Sequence, residues 1–144
     1  MRASTRTAVR VEAPAMYEFQ AAIEARNLEA ALTLMDEDVV FHSPVLFREC
    51  RGRAAVAPVL YAIAGVLENF RYTSELRSDD GADHALMFKA EASGLELDGC
   101  DLITVNDSGK IAEFTMMIRP LGAVTALALA MVSLLPRSSI RATG

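Results

Sequence analysis

Near residue 69 the spacing of apolar side chains changes its period, and this change restricts the fold more than any other feature of the 144-residue chain. Before it, apolar residues recur every three or four positions, the repeat of a helix with one buried face. After it they alternate, as in a strand with one face against a core. In the first half, Pro14 to Arg26 reads as a helix with Met16, Phe19, Ala22 and Ile23 as its core stripe. Asn27 suits an N-cap, and LEAALTLM continues as a second, short helix that the acidic run Asp36 to Asp38 ends. Val39, Val40 and Phe41 form a brief strand that stops at Ser43-Pro44, and a loop follows through Gly52. Arg53 to Leu67 reads as a third helix. Pro58 lies inside it and lacks an N–H, which predicts a late start or a bend.

In the second half, Phe70 to Arg77 sets Phe70, Tyr72, Ser74 and Leu76 on one face. His84 to Ala92 does the same with Leu86, Phe88, Ala90 and Ala92, and Ile111 to Arg119 with Phe114, Met116 and Ile118. Between these lies LELDGCDLITV, Leu95 to Val105, and the turns DDGAD, Ser93-Gly94 and NDSGK separate the strands. Leu121 to Leu135 carries no charge. As a helix it is about 22 Å long, against about 30 Å for a bilayer core, so it reads as a buried C-terminal helix and not a membrane span. Pro120 opens it and Pro136 stops it. So apolar a helix needs cover, from the domain or from a second subunit. Helices first and a meander after indicate an α+β fold: a cone-shaped, curved antiparallel sheet around the N-terminal helices, with an extra apolar C-terminal helix. The expected organisation is a single domain over 13–136 between flexible tails at 1–12 and 137–144.

Composition narrows the function classes. A hydrophobic share of 52% with 23% charged residues excludes a disordered chain. A net charge of −5, with no basic stripe, excludes a nucleic-acid footprint. The opening residues contain arginines but no apolar core of a secretory signal, so the expected location is cytoplasmic. Cys50 and Cys100 form no CxxC pair and the two histidines are far apart, so neither a metal site nor a disulfide is expected.

One residue breaks the pattern. In Leu95 to Val105, Asp101 shares its phase with Leu95, Leu97, Gly99, Ile103 and Val105, so a carboxylate points where the oily side chains point. Burying it is costly unless it is paired, hydrogen-bonded or protonated. It is therefore a candidate acid/base group with a raised pKa, a polar contact for a ligand, or a hydrogen-bonded structural residue. The concave side of a curved sheet is a natural small-molecule site.

The stretches ARNLEAALTLMDEDVVFHSP, GRAAVAPVL and DLITVNDSGKIAEF, in that order and spacing, resemble the nuclear transport factor 2-like superfamily in its SnoaL-like branch. The resemblance spans about residues 14 to 135 and implies the cone fold together with isomerase, cyclase or hydrolase chemistry that needs no cofactor. Within it, Asp101 matches the aspartic acid of the ketosteroid isomerase oxyanion hole, a system that is itself a standard example of a carboxylic acid held neutral by apolar surroundings. That family's tyrosine donor falls at Phe19 and its base at Ser43, so two of its three groups are absent. Polyketide cyclases, which resemble the chain more closely, imply a single aspartate at Asp101 that closes a ring by intramolecular aldol chemistry.

His42, at the strand end, is the candidate partner for Asp101, provided a bulge before Pro44 turns it inward. The expected pocket lining is Phe19, Phe41, Ser43, Tyr17, Tyr61, Tyr72, Phe88, Phe114 and Met116. Gly99 reads as a bulge or a close backbone approach beside Asp101. The expected partners are a small hydrophobic molecule and a second copy of the chain, paired through the sheet face, with no nucleic acid and no membrane. Two functions follow: an isomerase- or cyclase-type enzyme acting on an apolar carbonyl compound, or a non-catalytic ligand-binding or dimerisation domain of the same fold.

Overall fold

A computed structural model of the chain describes residues 13–135. The tails expected at 1–12 and 137–144, and the stop at Pro136, lie outside the described residues. The element order is α1 (Ala13–Glu24), α2 (Leu28–Thr33), β1 (Met35–His42), β2 (Cys50–Arg51), α3 (Arg53–Val66), β3 (Leu67–Arg77), β4 (Asp83–Ala92), β5 (Leu95–Val105), β6 (Ile111–Arg119) and α4 (Leu121–Val132). The strands form one sheet in the order β2-β1-β6-β5-β4-β3. The expected four-strand meander is its main body. β1 joins it in parallel along β6, with Phe41 beside Phe114, so the sheet is mixed and not wholly antiparallel.

The meander owes its register to its turns. Ser93 and Gly94 both take positive φ, 51° and 80°, the two-residue hairpin geometry whose twist matches that of the flanking strands. Asn106 Oδ1 accepts from the N–H groups of Ser108 (3.1 Å) and Lys110 (3.0 Å) and so braces the β5–β6 turn. With register fixed, period two puts Leu86, Phe88, Ala90, Leu97, Ile103, Phe114 and Met116 on one buried face. The apolar stripes of α1, α2 and α3 cover that face. Phe114 lies near the centre, edge-on to Phe19 (ring centroids 5.7 Å apart) and tilted against Phe41 (4.8 Å). Each such fully buried side chain stabilises the fold by roughly 1.5–3 kcal/mol.

α1 ends earlier than its period suggests. Arg26 adopts a left-handed φ of 60°, its N–H bonds to Ile23 O (3.0 Å), and the Asn27 N–H bonds to Ala22 O (2.8 Å). This pair of bonds closes a helix C-terminus, usually around a glycine. Asn27 Oδ1 then accepts from the Ala30 N–H (3.2 Å) and caps α2, as expected.

Several expectations need correction. The acidic run Asp36 to Asp38 lies within β1 and does not end a helix; α2 stops at Thr33. Asp36 bonds to the Asp38 N–H (2.8 Å) and the Asn106 side chain (2.9 Å), which fixes the strand start to the β5–β6 turn. The loop before Gly52 contains a two-residue strand, β2, paired with Val40 and Phe41. α3 starts on time at Arg53, because the Ala55 and Val56 N–H groups both reach Gly52 O (3.0 Å). Pro58 costs only its own N–H bond.

The phase of β3 also differs. Tyr72 pairs with Phe88 but Ser74 pairs with Met87, so the register slips at Thr73. Past that slip Leu76 lies on the outer face, 66% exposed, and Glu75 and Arg77 stand opposite the inward Leu86 and His84. Finally, α4 is covered on one side only: Ala123, Leu127 and Met131 are buried, while Leu121 and Leu129 are 80% and 72% exposed. Among the described residues no helix is long and apolar enough to cross a membrane.

Candidate functional site

Asp101 is fully buried on the inner face of β5, between Leu86 of β4 and Met116 of β6. Its neighbour in phase, Gly99, lies opposite Phe88 on β4 and Ile118 on β6. A Cβ on Gly99 would collide with the Phe88 ring and with the Met117 carbonyl. The missing side chain therefore lets the Phe88 ring lie over β5, and the close approach is of the kind that only glycine permits. Phe88 in turn packs against Phe70 (ring centroids 4.8 Å apart, stacked) and Tyr72 (6.4 Å, edge-on).

From β3, two strands away, the Tyr72 hydroxyl donates to Asp101 Oδ2 at 2.8 Å. The other oxygen, Oδ1, is buried without a hydrogen-bond partner, one of two such side-chain atoms among the described residues. The second is Arg53 Nε, whose guanidinium still bonds Met35 O through Nη2 (2.9 Å). Burial pushes the Asp101 carboxyl up to about 8, while the Tyr72 hydrogen bond works in the opposite direction. Burial, and then the neighbouring Asp101, hold the Tyr72 phenol well above its ordinary value. At pH 7 the resting pair is therefore a neutral phenol donating to a carboxylic acid. With Oδ2 taken by Tyr72, the acid proton belongs on Oδ1, which makes Oδ1 a donor without an acceptor.

A cavity of about 40 Å³ adjoins this pair. Its wall is apolar except for Arg26, Tyr72 and Asp101, and includes Ile23, Leu28, Leu60, Ile63, Phe70, Phe114 and Met116. That space holds water-sized guests, whereas organic ligands occupy pockets of about 300–1,000 Å³. A larger hollow of about 480 Å³ lies across the sheet, among Met87, Lys89, Asp98, Cys100, Met117 and Arg119, away from the carboxyl. Among the described residues no three histidine, cysteine, aspartate or glutamate side chains converge to hold a metal.

The other expected site residues divide into three groups. Tyr72, Phe114 and Met116 line the cavity with Asp101. Phe19, Phe41 and Phe88 are buried core rings packed against that lining. The remaining four stand elsewhere. Tyr17 and Tyr61 are 72% and 48% exposed, because each falls on the outer side of its helix. His42 follows strict alternation from Phe41 to the outer face, where Nε2 lies 2.9 Å from Glu113 Oε2, so it is no partner for Asp101. Ser43 Oγ accepts from the Val45 (3.2 Å) and Leu46 (2.9 Å) N–H groups and shapes the loop after β1. Arg26 was not among the expected residues. A residue at a helix end looks like solvated surface in sequence; its side chain reaches the cavity by bonding the main-chain carbonyls of Ala64 and Leu67 at the end of α3.

The SnoaL-like domain family matches residues 15–114. No curated protein matches the chain. Among solved structures, a steroid delta-isomerase from Pseudomonas aeruginosa is 32% identical, with 86% of this chain and 90% of that one covered and a TM-score of 0.80. A protein with a cystatin-like fold from Silicibacter pomeroyi DSS-3 is 31% identical over 88% and 89% of the two chains, with a TM-score of 0.79. A putative polyketide cyclase from Xanthomonas campestris pv. campestris shares the fold at 17% identity, over 84% and 99%, with a TM-score of 0.67. A matched family over most of its length, with the helix-wrapped curved sheet to go with it, means that this chain belongs to the SnoaL-like branch of the nuclear transport factor 2-like superfamily.

Proposed function

We propose that the protein is a cofactor-independent isomerase- or cyclase-type enzyme for apolar carbonyl compounds, with Asp101 as its proton-transfer group. The observation that supports this reading is the unpartnered Oδ1 of a fully buried carboxyl at the cavity wall. A buried polar atom left unsatisfied costs about 1–3 kcal/mol, a cost that a substrate oxygen removes on binding. The 32% identical steroid delta-isomerase supports the same class of chemistry.

One carboxyl suffices for a balanced reaction. In an aldol closure, the enol carbon of one part of the substrate adds to the carbonyl carbon of another, and a C–C bond forms. The Asp101 proton passes to the carbonyl oxygen, and the enol O–H proton returns to the Asp101 carboxylate. A keto–enol isomerisation uses the same give-and-take. A pKa of about 8 suits both directions near neutral pH. The apolar wall excludes water and strengthens the hydrogen bond at the moment of transfer. Because the cavity is about 40 Å³, the wall opens when substrate enters. Turnover of a cyclisable or enolisable ketone is expected to fall at least ~100-fold in Asp101→Asn, with the circular dichroism spectrum unchanged. Full activity in that variant would remove Asp101 from the mechanism.

A second reading is favoured by the small cavity and by Ser43, whose hydroxyl is committed to the backbone where a base would stand. In it the domain holds an apolar ligand, or pairs two copies through the outer face bearing Leu102 and Met117, without chemistry. Its signature is a ligand-induced rise in melting temperature with no product formed.

A further inference from the structure

The cavity wall has two polar ends of different kind, and the mechanism above uses only one. Asp101 and Tyr72 form the inner end. The other is Arg26, whose side chain crosses from the end of α1 to the end of α3: Nη1 donates to Leu67 O (3.1 Å) and Nη2 to Ala64 O (2.6 Å). Ala64 and Leu67 themselves border the cavity, so the guanidinium spans its rim.

Arg26 is an exposed residue whose guanidinium is nonetheless fixed in place by two main-chain acceptors. Its backbone is left-handed, at φ 60°, because it closes the C-terminus of α1, and this turn sends the side chain toward the end of α3. Its charge is also unneutralised. Among the described residues it makes no salt bridge, and both of its acceptors are neutral carbonyls. Glu24, two residues earlier, turns its carboxylate to the Tyr72 N–H (2.8 Å) instead. A guanidinium has five donors, and two are in use, so three remain for a planar anion. A carboxylate would also form shorter, charge-assisted bonds than the carbonyls do, and so could draw the guanidinium off the rim and widen it.

The geometry points to Arg26 as a specificity-determining residue that binds a carboxylate on the substrate, which makes the substrate class apolar oxo acids: a carbonyl for the Asp101–Tyr72 end, an apolar body along the wall, and a carboxylate for the rim. This inference rests on the cavity being the substrate site. It goes beyond that reading by assigning a charge to the substrate and a residue to its recognition.

The test uses three probes of matched length, 5-oxooctanoate, its methyl ester and 4-octanone, titrated calorimetrically into the wild type, Arg26→Gln and Arg26→Lys. The acid is expected to bind the wild type at least ~10-fold more tightly than the ester or ketone, with the gap shrinking as salt is added, because the rim is exposed. Arg26→Gln is expected to erase the gap by weakening the acid at least ~10-fold more than the ester, and Arg26→Lys to keep part of it. If Arg26 only caps α3, its loss will lower the melting temperature and weaken acid and ester alike, which overturns the inference. Equal affinity of acid and ester for the wild type overturns it as well, while leaving the cavity as the binding site. Binding of none of the three overturns both.

Discussion

Two polar side chains are buried among the described residues, and they are treated in opposite ways. His84 on β4 is 3% exposed, and both of its ring nitrogens are used: Nδ1 lies 2.9 Å from Glu75 Oε2, and Nε2 lies 3.0 Å from Gly81 O. Both partners are acceptors, so each ring nitrogen has one within hydrogen-bond distance. Glu75 is held in turn by the Gln20 side chain at 3.2 Å. Asp101, seventeen residues later on the next strand, has one oxygen bonded and one bare. A closed set of hydrogen bonds specifies a conformation and has no capacity left for a ligand. An open one costs stability and leaves a position at which a further polar group can bond. The contrast leaves the histidine with both ring nitrogens partnered and the aspartate with one oxygen open.

The largest expected effect separates the two through pH. The Asp101 carboxyl sits at about 8 in the folded chain, against an ordinary value of 3.8. Between those values the folded chain holds one more proton than the unfolded chain, so stability falls as pH rises. The contribution is fully present below about pH 4, declines to about pH 8 and is level above. A shift of this size corresponds to on the order of 5 kcal/mol at its limit. Asp101→Asn mimics the neutral acid and removes the slope. Urea titrations at pH 4 and pH 9 are expected to give wild type and variant similar stability at the lower pH, and a clear advantage to the variant at the higher. A wild type as stable at pH 9 as at pH 4, relative to Asn, would mean that the carboxyl is not held neutral.

The next effect belongs to the histidine. His84→Leu leaves Gly81 O and the Glu75 carboxylate without their ring partner, and is expected to destabilise by about 1–3 kcal/mol. The carbon-13 titration of the Asp101 carboxyl should stay where it is, because the histidine network shares no hydrogen bond with the aspartate. A moved Asp101 titration would join the two regions into one network and undo the contrast.

How far sequence reached follows from what period and turn chemistry encode. β5 has hairpin turns on both sides and a strict alternation, so the inward direction of Asp101 was legible from Leu95, Leu97, Ile103 and Val105 alone. β3 was not, because its outer half, Ser74 to Arg77, is exposed on both faces, and a slip of one residue at Thr73 changes little burial. That slip decides that Glu75, and not Ser74, meets the inward surface and reaches His84. The Tyr72–Asp101 bond depends on register across two strands and on the absent side chain at Gly99, neither of which any periodicity contains. His42 was legible in its phase; it lost its candidacy because no bulge before Pro44 turned it inward. Arg26 was invisible for a different reason: its place at the cavity comes from side-chain bonds to carbonyls at the end of α3 and not from its own neighbours in sequence.

The smallest effect is the most discriminating. Tyr72→Phe removes one hydroxyl and keeps the ring that packs on Phe70 and Phe88. The global cost is expected to be about 1 kcal/mol, the net worth of a typical hydrogen bond. Its effect on Asp101 has a definite sign, because the Tyr72 bond lowers the carboxyl value that burial raises. Without it the carboxyl should titrate above 8, and any activity that needs the neutral acid should persist to higher pH than in the wild type. A purely structural phenol would change the melting temperature and leave the Asp101 titration in place. The variant thus asks whether the open site is tuned by its single hydrogen bond or merely anchored by it, a question that the histidine, with an acceptor beside each ring nitrogen, does not raise.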